Sequence, residues 1–70
     1  MVYKIKLKED YIKLGQALKA SGLAETGVDA KMSILDGLVS VNGETVYQRG
    51  KKLVDGDIVS FDGETIVIEK

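Results

Sequence analysis

The sequence predicts an α+β domain in which a corner of two adjacent helices packs on a small, mostly antiparallel sheet. Residues 3–8 alternate apolar side chains with lysines, which is the period of a half-buried strand. Residues 10–36 place apolar side chains at intervals of three and four, which is the period of a helix. An Asn-Gly pair at 42–43 and an Asp-Gly pair at 62–63 each separate two β-rich stretches, as in tight hairpins. The predicted order is β-α-α-β-β-β-β.

The first strand is predicted over residues 2–7. Its apolar side chains, Tyr3, Ile5 and Leu7, are expected to face the core, and its lysines face solvent. We interpret the lysine row, which is Lys4, Lys6 and Lys8, as protection of a sheet edge against pairing with other chains. Contact with nucleic acid is the alternative interpretation.

The first helix is predicted over residues 10–21, with Asp10 as its N-cap. Its core-facing stripe consists of Tyr11, Leu14 and Leu18. Ser21-Gly22 ends the helix. Gly15 lies inside the segment and is expected to weaken the helix by about 1 kcal/mol relative to alanine.

The second helix is predicted over residues 26–36. Thr26 caps its start, with Asp29 three residues later as a short capping box. Its core-facing residues are Ala30, Ile34 and Leu35. Gly37 ends the helix because glycine readily adopts the left-handed conformation.

The remaining strands form two predicted hairpins. Asn42-Gly43 suits the two positive φ values of a type I′ turn, so the strand of Val39 and Val41 is expected to return through Thr45 and Val46. Residues 58–61 and 65–68 form the second hairpin around Asp62-Gly63.

Length and composition indicate a single domain over residues 1–70 and exclude several classes of function. The chain has no cysteine and no histidine, which removes disulfides, thiol nucleophiles, the usual zinc sites and imidazole acid–base chemistry. Absence of cysteine fits the cytoplasm. No segment resembles a signal peptide or reaches the ~20 apolar residues of a membrane span.

No pattern of catalysis or cofactor binding is present. The serines have no histidine to act as base, and neither GxxxxGK[ST] nor GxGxxG occurs. Asp55, Asp57 and Asp62 lack the ligand alternation and closing glutamate of a calcium loop. We therefore expect no enzyme, no metal and no cofactor.

Charge is distributed unevenly along the chain, although the net charge is −1. Residues 47–53 hold three cations and no acid, whereas residues 54–70 hold five acids and one lysine. The cations lie in the segment Arg49-Gly50-Lys51-Lys52, which we call the basic loop. Such a surface can bind an anion locally, and the first amides of the second helix, at Gly27 and Val28, can also hold a phosphate. The alternatives are a solvated loop and a self-capped helix.

Several segments occur together in an order that is typical of one family. They are Lys13-Leu14, Leu18, Gly22-Leu23, residues 26–31, Ile34, residues 37–44, residues 49–53 and residues 56–59. The most specific is the Gly-x-Val-x-Val-Asn-Gly run at 37–43, at its distance from Ala30-Lys31. Over essentially its whole length the chain resembles the RNA-binding domain named after small-subunit ribosomal protein S-four, in its small stand-alone bacterial version.

The resemblance implies the α-L RNA-binding motif, which recognises structured RNA, usually ribosomal or transfer RNA, across the helix corner and the following hairpin. Carried over residue by residue, the implied contacts are Lys13, Thr26, Lys31, Arg49, Lys51 and Lys52. We further expect a cytoplasmic monomer with a part in ribosome assembly or translation, and no membrane partner.

The chain departs from the family pattern at several positions. Many members have an arginine at Gly27, an acid at Gly15 and an aromatic residue at Ala17. Gly27 removes an expected phosphate contact, although the stand-alone branch often has glycine there together with an Arg-Gly-Lys-Lys loop. Tyr47-Gln48 stands where that branch often has another basic residue, which predicts a low affinity.

Two other classes of function are weighed against RNA binding. Small β-grasp sulfur carriers share the short strands and the tight turns, but they require a C-terminal Gly-Gly, and this chain ends Ile68-Glu69-Lys70. The remaining alternative is a protein-interaction module on the same scaffold with no direct RNA binding. The net charge of −1 favours that alternative.

Overall fold

The computed structural model describes all 70 residues, which form two helices and seven strands. In chain order the elements are β1 (Val2–Lys6), β2 (Ile12–Lys13), α1 (Leu14–Ala20), α2 (Gly27–Leu35), β3 (Val39–Val41), β4 (Glu44–Thr45), β5 (Lys52–Leu53), β6 (Ile58–Phe61) and β7 (Glu64–Glu69). The α+β class is confirmed. The short strands β2 and β5 are additional to the predicted order.

Five strands form one sheet in the order β1-β7-β6-β3-β4. Its pairs are antiparallel except β1 with β7, which are far enough apart in the chain for the long crossover that a parallel pair requires. Both predicted hairpins are present. Asn42 and Gly43 have φ values of 52° and 85°, and Asp62 and Gly63 have 52° and 77°, as type I′ turns require.

Helix α1 begins at Leu14, so the prediction that Asp10 caps its start is wrong. Lys13 immediately precedes the helix with an extended backbone, because β2 pairs antiparallel with β5. Tyr11 lies before this ladder and therefore outside the helical stripe on which it was predicted. The Asp10 carboxylate instead accepts a hydrogen bond from Lys70 Nζ at 3.2 Å.

Helix α2 has the predicted ends. Thr26 Oγ1 accepts a hydrogen bond from the Asp29 amide at 3.1 Å, although the Asp29 carboxylate does not complete the capping box. Gly37 has a φ of 76°, and the amides of Gly37 and Leu38 donate to carbonyls of the last turn, both at 3.1 Å. These two bonds form a Schellman motif. Leu35 was expected in the core but is 52% exposed.

The core lies between the sheet and the helix corner and consists of apolar side chains. Its twelve buried residues are Leu14, Ala17, Leu18, Ala24, Ala30, Ile34, Val39, Val41, Leu53, Val59, Ile66 and Ile68. No charged or polar residue is buried as a whole, although one carboxylate oxygen of Glu64 is covered. Neither helix has the length and apolar content needed to cross a membrane.

Candidate nucleic-acid interface

A groove of ≈ 350 Å³ opens between the start of α1, the start of α2 and the basic loop. Only one of its eight lining residues is hydrophobic. The eight lining residues are Lys13, Gly15, Gln16, Lys19, Gly27, Ala30, Arg49 and Gly50. We call it the basic groove, because it presents cations and backbone groups to a ligand.

Backbone hydrogen bonds fix the basic loop to the start of α1. The Leu14 amide donates to the Lys51 carbonyl at 2.9 Å, and the Gly15 amide donates to the Arg49 carbonyl at 3.1 Å. The first amides of a helix have no partner within the helix, so the loop supplies the acceptors that are missing. The loop therefore caps α1 and keeps its own cations beside Lys13.

Gly15 allows the Arg49 side chain to lie against α1. A Cβ atom at position 15 would be 2.7 Å from Arg49 Cγ, which is closer than real contacts of this kind. Gly15 has no positive φ, so its role here is space rather than an unusual backbone conformation. From the sequence alone, Gly15 was expected to weaken the helix and to replace an acid common in the family, with no role in packing.

Two lysines face each other on the small ladder of β2 and β5. Lys13 and Lys52 are direct partners in this antiparallel pair, so their side chains leave the same face. Like charges directly opposite each other are destabilising. The Lys52 Nζ atom is 4.8 Å from the centre of the Tyr11 ring, a cation–π distance that offsets part of this repulsion. An anion bound between the two lysines would relieve the remainder.

None of the cations of the basic groove or the basic loop forms an ion pair. The ion pairs of the protein join the N-terminus to Glu64, Lys4 to Glu69 and Lys70 to Asp10. The three acids in these ion pairs therefore neutralise positive charge elsewhere on the molecule. A local positive surface remains although the net charge is −1.

The start of α2 contributes backbone donors to the same groove. The amides of Gly27 and Val28 donate to no protein acceptor, whereas the Asp29 amide is capped by Thr26. Gly27 lines the groove, and the space beside its Cα is open. Self-capping and free amides, which the sequence presented as alternatives, are both present.

The structure places two of the six predicted contact residues in the lining of the groove and three more within two residues of a lining residue in the chain. Lys13 and Arg49 line it, Thr26 directly precedes the lining residue Gly27, and Lys51 and Lys52 continue the basic loop. Lys31 does not line the groove. It lies one turn beyond Gly27 on the same face of α2.

Lys19 lines the groove but was not among the predicted contacts. Its signal in the sequence was the spacing of four residues from Gly15, which places both on one face of α1. That spacing becomes informative only when the position of Gly15 in the groove is known.

Two of the three acids considered for a calcium loop, Asp55 and Asp57, accept hydrogen bonds within the protein. The Asp57 carboxylate accepts from Asn42 Nδ2 at 3.0 Å and from the Val54 amide at 2.8 Å. The Asp55 carboxylate accepts from the Lys70 amide at 3.0 Å. These groups hold the first hairpin and the C-terminal residue against the turn at Gly56.

Comparison with known proteins gives a consistent set of relatives. The model of the S4 domain family matches residues 5–69. A protein of Escherichia coli (strain K12), named "Putative RNA-binding protein YbcJ", is 34% identical over 61 residues, which are 87% of each chain. A protein of Bacillus subtilis (strain 168), named "Probable ribosome maturation protein RlbA", is 36% identical over 63 residues, which are 90% of this chain and 89% of the relative.

A solved structure shows the same fold. The solution structure of YbcJ from E. coli, described as revealing an αL motif involved in RNA-binding, matches with a TM-score of 0.72 and 30% identity. The match covers 99% of this chain and 86% of that one. Since the family model spans nearly the whole chain and both relatives exceed 30% identity over most of their length, this protein belongs to the S4 domain family.

Proposed function

We propose that this protein is a non-catalytic RNA-binding domain that holds the phosphate backbone of structured RNA in the basic groove. The observation that carries this proposal is the set of cations that α1 and the basic loop bring together without any acidic partner. The names of the two relatives, one for RNA binding and one for ribosome maturation, support it. We accordingly propose ribosomal or transfer RNA as the ligand.

Each group has a separate role in this proposal. Arg49 donates two parallel hydrogen bonds to a phosphate, which its planar guanidinium suits. Lys13, Lys51 and Lys52 act as point charges around it, and Lys31 extends the surface along α2. The free amides of Gly27 and Val28 hold a further phosphate oxygen at the start of α2.

The proposed setting is the cytoplasm, where a monomer of this chain acts in ribosome assembly or translation. No histidine or cysteine is present to serve as base or thiol nucleophile, which supports binding without catalysis.

Salt dependence of RNA binding tests the proposal. With roughly three to five phosphates contacted, log affinity for ribosomal or transfer RNA should fall with log salt by about 0.7–0.9 per contact. Replacing Arg49, Lys51 and Lys52 together by alanine should flatten this slope by about two to three units. The fold should persist because all three side chains are exposed.

The matched control removes the same number of positive charges from the first strand and its continuation. The triple variant Lys4→Ala, Lys6→Ala, Lys8→Ala should change RNA affinity little, since these residues lie outside the basic groove. If the two triple variants weaken binding equally, only net charge matters and the proposed site is wrong. Absence of RNA binding at low salt would leave the protein-interaction function as the better explanation.

A further inference from the structure

A second groove, of ≈ 460 Å³, lies between β1 and α1 and shares only Gln16 with the lining of the basic groove. One wall consists of five consecutive residues, 5–9, and the other of Gln16 and Ala20, which are one helical turn apart. Tyr11 and Ile12 complete the lining. Residues 5 and 6 end β1 and residues 7–9 continue beyond it, so the cleft runs from the end of the strand along one face of α1; we call it the edge groove.

The backbone of β1 is unpaired on the side away from β7, because β1 is the first strand of the sheet. The Leu7 amide donates to the Glu69 carbonyl at 2.6 Å, and the Met1 carbonyl accepts from the Thr65 amide at 3.1 Å. Backbone groups alternate between the two sides of a strand, so those of Val2, Lys4 and Lys6 point to the free edge. This edge can accept another strand.

The edge groove is apolar inside and positively charged along the strand. Five of its nine lining residues are hydrophobic, and Ile5, Leu7 and Ile12 are only partly buried against the core. Lys6 and Lys8 have no ion pair, and Lys4 has one exposed contact of 4.0 Å to Glu69. Glu9 is the one acid in the lining.

We propose that the edge groove binds an extended acidic segment of a partner protein, which adds a sixth strand to the sheet beside β1. Alternate side chains of such a segment point to opposite faces of the sheet. Apolar residues would enter the groove beside Ile5 and Leu7, and acidic residues on the other face would lie opposite Lys4 and Lys6. β1 has five residues, so the paired length is about 17 Å at ~3.3 Å per residue.

Charge argues against one alternative occupant of this edge, and the apolar lining argues against another. A second copy of the chain pairing through β1 would bring two lysine rows together, and directly opposed like charges are destabilising. RNA is served by the basic groove, which is polar, whereas an apolar cleft beside a free strand edge suits strand addition by a peptide.

The test uses a capped synthetic peptide of about seven residues that alternates glutamate and valine. At saturation, hydrogen exchange of the Lys4 and Lys6 amides should slow by about tenfold, because their free N–H groups become hydrogen-bonded. The amides of Gly27 and Gly50 should not respond. A peptide alternating lysine and valine serves as the charge control and should not bind.

Variants separate this surface from the RNA site. The triple variant Lys4→Ala, Lys6→Ala, Lys8→Ala should weaken peptide binding by about tenfold, whereas the alanine triple in the basic loop should leave it unchanged. Ala20→Trp, at an exposed position of the helix wall, should fill the groove and abolish binding without unfolding the chain. Circular dichroism and thermal melts verify the fold of each variant.

Three results would overturn the proposal. The first is the absence of protection at Lys4 and Lys6 at millimolar peptide. The second is equal binding of the glutamate and lysine peptides. The third is protection of the same two amides by structured RNA, with loss of RNA affinity in the Lys4, Lys6, Lys8 variant, which would assign the strand lysines to RNA.

Discussion

Gly15 and Arg49 show how a single missing side chain shapes the candidate site. A Cβ at position 15 would be 2.7 Å from Arg49 Cγ, so any larger residue must displace the arginine. The intrinsic helix propensity of glycine is about 1 kcal/mol worse than that of alanine. The position therefore exchanges helix stability for the placement of a cation in the basic groove.

Gly15→Ala is expected to lower RNA affinity while changing the free energy of unfolding little, since the helix gain and the displaced side chain oppose each other. In an Arg49→Ala background the steric conflict is absent. There, Gly15→Ala should stabilise the fold by up to about 1 kcal/mol and have no further effect on RNA binding. Denaturant melts and RNA titrations of the unsubstituted protein, the two single variants and the double variant measure how the two substitutions are coupled in stability and in RNA affinity. Additive effects on stability and affinity would contradict this account.

Gly43 illustrates the other role of glycine, a backbone conformation. Its φ is 85° and no atom lies within 4 Å of a Cβ built there, so a substitution meets conformational strain rather than a clash. Gly43→Val should lower the free energy of unfolding by about 1–3 kcal/mol. Gly27→Val is the matched control, because Gly27 also has open space but no positive φ. Its stability should change by less than about 0.5 kcal/mol. An equal loss of stability in Gly43→Val and Gly27→Val would be inconsistent with a type I′ turn at Asn42-Gly43.

At the scale of elements, the small ladder of β2 and β5 links the start of α1 to the basic loop. It positions Lys13 opposite Lys52, an arrangement that costs stability and concentrates positive charge. A bound polyanion would relieve this repulsion, because its phosphates would neutralise the two lysines.

Lys13→Glu is expected to affect stability and RNA binding in opposite directions. An opposite-charge pair across the ladder should stabilise the fold by about 0.2–1 kcal/mol, and an acid at the start of α1 is also favourable for the helix dipole. RNA affinity should fall, because a groove cation becomes an anion. Thermal melts at low salt measure the stabilisation of the fold by Lys13→Glu. This stabilisation should diminish near 1 M salt, where the Debye length is only ~3 Å. A destabilised variant would show that the two lysines do not repel each other.

For the whole molecule, the distribution of charge matters more than the net charge of −1. All three ion pairs involve groups outside the basic groove and the basic loop, so the acidic excess of the C-terminal strands does not neutralise the site. A small domain of this kind is only marginally stable, and its stability responds measurably to a bound ligand.

RNA at about a hundred times its Kd is expected to increase the free energy of unfolding by about 2.7 kcal/mol. The resulting rise in Tm is readily measured, since roughly 4–8 °C accompanies each kcal/mol in a domain of this size. At the same RNA concentration the triple variant Arg49→Ala, Lys51→Ala, Lys52→Ala should show little increase. An equal increase in that variant would mean that RNA binds elsewhere on the folded protein.

Features that depend on contacts between near neighbours in the chain could be predicted from the sequence. The cap at Thr26, the Schellman end at Gly37 and both type I′ turns follow from bonds and φ values within a few residues. The helix corner and the mostly antiparallel sheet followed from periodicity. The cations of the basic loop were also identifiable, because they are consecutive in the sequence.

Features that depend on residues far apart in the chain were decided by the tertiary structure. Helix α1 starts at Leu14 rather than near Asp10 because residues some forty positions later pair with β2 and accept the first helical amides. The same return of the chain brings Arg49 against Gly15 and makes Lys19 part of the basic groove. The edge groove forms where the end of β1, which is held in the sheet by its pairing with β7, lies beside α1. Local propensity carries no information about such partners, so only the packed chain determines where these residues meet.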